Sequence, residues 1–116
     1  MSEHYHEPPG ELPQTVRDRH RIYQTIMEEF EAIDWYDQRI AVTADPSVRA
    51  LLQHNRDEEV EHAMMALEWV LRNDAVAAGH ARTYLFSRGP IQDQEAGSSH
   101  VAGDGTGLLQ DGGQDE

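Results

Sequence analysis

The sequence predicts an all-α fold, an antiparallel hairpin of two long helices followed by a short third helix, with two copies of the hairpin pairing into a four-helix bundle. Three observations predict it. Two long stretches repeat their seam residues at alternating steps of four and three, which is the helical period. Only about three residues separate them, and helices joined so tightly run antiparallel. The chain has 116 residues, so a hairpin cut from it has little interior of its own and gains one by covering its apolar face with a second copy.

Each element has its own signal. Residues 1–14 contain Pro8, Pro9, Gly10 and Pro13 with no apolar period, and read as an irregular arm. Thr15, with Asp18 three residues later, is a shorter version of the capping box and is expected to open the first helix, which runs to about Thr43. Its seam is Ile22, Ile26, Glu29, Ile33, Tyr36 and Ile40. Asp45-Pro46 then restarts the chain, with Asp as N-cap and Pro in the first helical position. The second helix continues to about Asn73 along Val48, Leu52, Asn55, Glu59, His62, Ala66 and Trp69. A third helix is expected from Ala75 to about Phe86, stopped by Gly89-Pro90. The helical domain therefore spans 15–90. Residues 91–116, rich in Gly, Ser, Gln and Asp, are expected to form a disordered linker.

Composition narrows the function classes. Cysteine is absent, which excludes disulfides and thiolate-held metals and suits a reducing compartment. No basic-then-apolar leader opens the sequence and no apolar run nears the roughly 20 residues of a membrane span, so a soluble intracellular protein is expected. A net charge of −13 without a single lysine argues against nucleic acid as a partner; cations fit it better, and taken alone the acidity also reads simply as conferring solubility.

Ionisable groups occupy the middles of both seams, where a coiled coil would carry apolar residues. Glu29 stands on the first seam, and Glu59 with His62 on the second. Counted from the turn at 1.5 Å per residue, Glu29 and Glu59 both lie at about 21 Å and so are level. Glu59 and His62 form a Glu-x-x-His pair on one helical face. Di-iron carboxylate bundles take a Glu from each of two helices and Glu-x-x-His from each of the other two. One hairpin supplies half of that set, and a two-fold mate would supply the rest. Oxygen donors with imidazole suit iron or manganese, and zinc also enters such sites. A lone Glu-x-x-His is a weak signal, since Glu3 and His6 repeat it in the arm. The competing structural reading is a polar step that fixes helix register.

Surrounding residues carry milder expectations. Tyr36 is placed to hydrogen-bond a ligand carboxylate, or is simply a core aromatic. Glu28 and Glu31 flank Glu29 and would attract incoming Fe(II), or form a solvated acidic face. Trp35 reads as interface packing, Met27, Met64 and Met65 as packing, and His20, His54 and His80 as surface residues.

Three blocks resemble the encapsulated ferritin family. They are Met27 to Arg39 (MEEFEAIDWYDQR), His54 to His62 (HNRDEEVEH) and Arg82 to Phe86 (RTYLF), within a resemblance covering about residues 7–91. The resemblance implies a ferritin-like bundle, formed by subunits in a ring of five dimers, with a ferroxidase centre at a subunit interface. Its ligands would be Glu29, Glu59 and His62, with Glu59 bridging the metals. Glu28 and Glu31 would take up metal, and Trp35 and Tyr36 would lie close by. Iron is the implied metal, with zinc, manganese or calcium able to occupy the site in vitro. It further implies cargo of an encapsulin nanocompartment in the cytoplasm, docked to the shell by a peptide near 104–110. Gly105-Thr106-Gly107-Leu108-Leu109-Gln110 resembles that peptide, although Asp104 and Thr106 depart from its aliphatic pattern.

Two other readings fit parts of the pattern. A magnesium-dependent all-α nucleotide pyrophosphohydrolase would use Glu28-Glu29-x-Glu31 with Glu58-Glu59-x-Glu61, but His62 on the seam suits Mg²⁺ poorly. A non-catalytic metal-buffering protein would bind cations without oxidising them.

Overall fold

The computed structural model describes residues 4–95. Among them the fold is all helical: α1 (Gln14–Val42), α2 (Pro46–Asn73) and α3 (Ala75–Tyr84), with short 3₁₀ turns at Pro9–Glu11 and Ile91–Gln94. The chain divides into two compact units, Met1–Val70 and Leu71–Glu116.

The first unit holds the hairpin. No glycine or proline interrupts α1, and its 29 residues extend for about 43 Å. It starts one residue before the expected cap. Pro13, with φ −59°, turns its carbonyl toward the amides of Val16 and Arg17, so the proline opens the helix without a side-chain cap. Thr15 therefore lies inside α1, and Asp18 accepts hydrogen bonds from Gln14 (3.0 Å) and Arg21 (2.7 Å) instead of completing a capping box. The arm before it has local order: Tyr5 stacks on His20 with ring centroids 4.1 Å apart. His20 is thus half-buried, and the expectation of a plain surface residue is corrected there.

At the turn, Thr43 is extended and its hydroxyl donates to the Arg39 carbonyl at 2.6 Å. Asp45 caps α2 as expected, its carboxylate accepting from the Val48 amide at 3.0 Å. Arg49 then reaches back from α2 to donate twice to the Thr43 carbonyl, at 3.2 and 2.8 Å. Further along, Arg56 Nε donates to Asp37 Oδ1 at 2.9 Å. Moving away from the turn, contacts step backward along α1 and forward along α2, so the helices are antiparallel.

Burial follows the expected seam closely on α1. Ile22, Ile26, Glu29, Ile33, Tyr36 and Ile40 are all among its less exposed residues. On α2 the expected stripe is met at Leu52, Asn55, Glu59, Ala66 and Trp69, and burial extends to Ala63 and Val70 beside it. Ala63 is wholly buried and Ala66 and Val70 nearly so, whereas Val48 and His62 are exposed. Alanine fits because short side chains let helix backbones approach closely.

The second unit is capped at α3 by Asp74, whose carboxylate accepts from the amides of Val76 (3.0 Å) and Ala77 (3.1 Å). This helix ends at Tyr84, two residues before its expected limit. Leu85, extended at φ −70° and ψ 132°, takes the chain out of the helical path, and Phe86 follows at φ +62°, a left-handed conformation that a bulky residue seldom adopts. Beyond it, Gly89 with φ +79° permits a second turn. Gln94 is buried and its side-chain amide donates to the carbonyls of Arg88 and Pro90. Ordered chain thus continues past residue 90, where a linker was expected to begin. The 104–110 peptide lies outside the described residues.

Candidate metal centre

Two helices position one compact donor cluster. Glu29 comes from the middle of α1, and Glu59 and His62 from successive turns of α2, with one ligand atom of each within 4.8 Å of the others. His62 Nδ1 lies 3.6 Å from Glu59 Oε1 and 3.8 Å from Glu29 Oε1. The level placement predicted by counting from the turn is therefore met. Side-chain exposure falls from 45 % at His62 to 27 % at Glu59 and 19 % at Glu29, so the cluster opens to solvent on its histidine side.

Charge explains what such a cluster needs. A hydrogen bond shared with Glu59 raises the Glu29 carboxyl above its ordinary value, and desolvation and the Glu59 charge push it the same way; His62 opposes them. Two carboxylates this close share a proton or face one another as like charges. A cation would take that proton's place. The donor set, two carboxylate oxygens and an imidazole nitrogen, is one that iron, manganese and zinc accept. These residues fit a metal, and each chain offers three donors where a di-iron pair uses six.

His54 and Glu58 join the surroundings, although they lie off the expected seam. Glu58 Oε1 stands 4.0 Å from His62 Nε2, and Glu58 Oε2 stands 3.8 Å from His54 Nε2. The signal was present as steps of four along one face of α2. His62 therefore turns Nδ1 toward Glu29 and Glu59 and Nε2 toward Glu58. Carboxylates thus face both ring nitrogens, the two nearer ones on the Nδ1 side where the cluster converges.

The remaining candidates are less closely gathered. Glu28 is exposed and contributes a repulsive charge to Glu29, and Glu31 is exposed on the same helix. Tyr36 is half-buried with the Arg39 guanidinium 5.4 Å above its ring. Among the described residues no hydrogen bond joins its hydroxyl to Glu29 or Glu59. Trp35 is exposed in the single chain, as are Met27, Met64 and Met65, so none of these is packed away by its own hairpin.

Comparison with known proteins shows the family. Residues 4–88 match the family described as EncFtn-like. This chain belongs to the encapsulated ferritin family. It is 54 % identical over 102 residues to an encapsulated ferritin-like protein of Rhodospirillum rubrum, covering 88 % of this chain and 71 % of that one. To a ferritin-like protein of Thermotoga maritima it is 46 % identical over 108 residues, covering 90 % and 95 %. An encapsulin nanocompartment cargo protein, EncC, of Myxococcus xanthus is 35 % identical over 86 residues, covering 74 % and 64 %. A crystal structure of a Nitrosomonas europaea protein superposes with a TM-score of 0.75 at 45 % identity, covering 77 % of this chain and 98 % of that one. The Glu-Glu-His cluster of this encapsulated ferritin family member lies within the matched residues 4–88.

Proposed function

We propose that this chain is a ferroxidase, oxidising Fe(II) to Fe(III) at a di-iron site completed when a second copy contributes its own Glu29, Glu59 and His62. The observation that carries the reading is the convergence of those three donors within 4.8 Å on a hairpin that holds half a ligand set. The iron pair supplies the electrons that an oxidant accepts. Glu29 and Glu59 present anionic oxygens, which attract a cation of charge three more strongly than one of charge two and so favour the oxidised product. His62 supplies an imidazole nitrogen on the same side, with Glu58 standing near its other nitrogen. Glu28 and Glu31, both exposed, add negative potential that draws Fe(II) toward the cluster. Tyr36 and Trp35 line the neighbourhood in the assembled protein.

Partners follow from the relatives. Proteins described as encapsulated and as nanocompartment cargo support an encapsulin shell as the partner, reached through residues 104–110, and hence a cytoplasmic location inside that compartment. The chain forms dimers that join in a ring, a decamer if the family pattern holds. Among the described residues no helix is long and apolar enough to cross a membrane.

The test is aerobic Fe(II) oxidation followed by absorbance and oxygen uptake. Glu29→Ala, Glu59→Ala and His62→Ala should each fall to about a tenth of the wild-type rate or lower, a loss at least as large as that from disturbing outer partners of a metal site. Wild-type rates in all three would remove the assignment. Metal binding without oxygen uptake would point to a buffering protein. Mg²⁺-dependent hydrolysis of nucleoside triphosphates would point to a pyrophosphohydrolase, which an imidazole among the donors disfavours.

A further inference from the structure

Between the turn and the Glu-Glu-His cluster, one side chain ties α2 directly to an α1 carboxylate. Arg56 Nε donates to Asp37 Oδ1 at 2.9 Å, and its guanidinium is steadied on its own helix by Asp57 at 3.3 Å. Asp57 is steadied in turn by Gln53 at 3.0 Å. Arg56 stands one turn from Glu59, about 4.5 Å along the axis. We propose that the Arg56–Asp37 pair is a register latch, a positioning pair that holds Glu59 and His62 level with Glu29. The inference rests on reading the cluster as a metal centre.

Packing alone specifies register weakly here. The most buried residues of α2 beside the cluster are Ala63 and Ala66, which have little relief for a neighbouring helix to grip. Sliding α2 by one residue moves its side chains about 1.5 Å. Metal sites need their ligands held to within about 0.5 Å. Arg49 pins the hairpin only at its turn, through the Thr43 carbonyl. Arg56, two turns further along α2, adds a second fixed point and stops α2 from rotating about the first. A directional, charge-assisted bond suits that task better than apolar contact.

Global stability owes little to such a pair, because Asp37 is 54 % and Arg56 33 % exposed and solvent screens them. Latching and stability can therefore be separated by experiment. The probe is Mn(II) binding to the full chain, followed by electron paramagnetic resonance, in Arg56→Gln, Asp37→Asn, the double variant and the charge swap Arg56→Asp with Asp37→Arg. A purely electrostatic role predicts opposite signs, since losing a cation strengthens Mn(II) binding and losing an anion weakens it. A latch predicts that both single variants bind about tenfold more weakly, that the double is no weaker than either, and that the swap recovers part of the loss. Thermal midpoints and assembled mass should match wild type throughout. Opposite signs, additive losses, unchanged affinity in both single variants, or a loss that follows disassembly would each overturn the latch. Wild-type protein that fails to bind Mn(II) saturably would instead overturn the metal-centre reading.

Discussion

His62 faces two ways, and its neighbours divide into groups that hold charge and groups that orient. Glu29 and Glu59 are the less exposed pair, and the Glu59 side chain and burial hold the Glu29 carboxyl above its ordinary value, so removing either takes away a donor that a cation would draw in. Glu58 is half exposed and reaches only the far nitrogen of His62, at 4.0 Å. Glu58→Gln should therefore weaken Mn(II) binding by about tenfold or less, the lower end of the range for outer partners of a metal site. Glu59→Gln should abolish saturable binding altogether. Equal losses in the two variants, measured by titration, would show that Glu58 is a direct donor. Glu29, Glu59 and His62 were legible in the sequence because ionisable groups at seam positions break a simple period. Glu58 and His54 were harder to read, since steps of four away from the seam look like an ordinary solvated face.

Helix ends in this protein are set by different devices, and one of them, the Asp45 cap, depends on pH. The Ser47 hydroxyl and the Val48 amide hold the Asp45 carboxyl below its ordinary value of 3.8. Because the folded value is the lower one, the capping contribution is present in full above the unfolded value and is lost as pH falls through the folded value. The denaturation midpoint of wild type relative to Asp45→Asn should accordingly drop as pH is lowered below 3.8, and stay level from pH 5 to 7. A difference that does not change on acidification would show that the charge of Asp45 plays no part in the cap. The Asp45-Pro46 start was readable because cap and proline have fixed chemical roles. The start of α1 was displaced because Pro13 offers its own carbonyl to the first amides. The end of α3 was displaced because Leu85 is extended and Phe86 then left-handed, neither of which their side chains signal.

Within one chain, only Ala63, Ala66 and Val70 form a buried apolar core among the described residues. Large apolar groups on the hairpin stay open, Met27 at 55 % and Phe30 at 52 % exposed among them. The proposed assembly would cover this apolar surface, and so small a core gives a lone hairpin little stability. The thermal midpoint of wild type should therefore rise with protein concentration, by mass action on assembly. Phe30→Glu should lower the assembled mass in sedimentation and, in parallel, abolish saturable Mn(II) binding. A monomeric variant that still binds two metals per chain would contradict a site shared between copies.

By itself the sequence determined the helical class, the antiparallel hairpin, the level placement of Glu29 with Glu59 and His62, and the family. Periodicity, turn length and cap chemistry are local rules that act through the chain's own covalent geometry. Tertiary structure alone decided that Ala63 is the most buried residue of α2, because a methyl side chain has too little apolar contrast to set it apart from the expected seam. It also decided the pairing of Arg56 with Asp37 and the two-sided setting of His62, since both depend on where a second helix stands, and spacing along one helix does not report that.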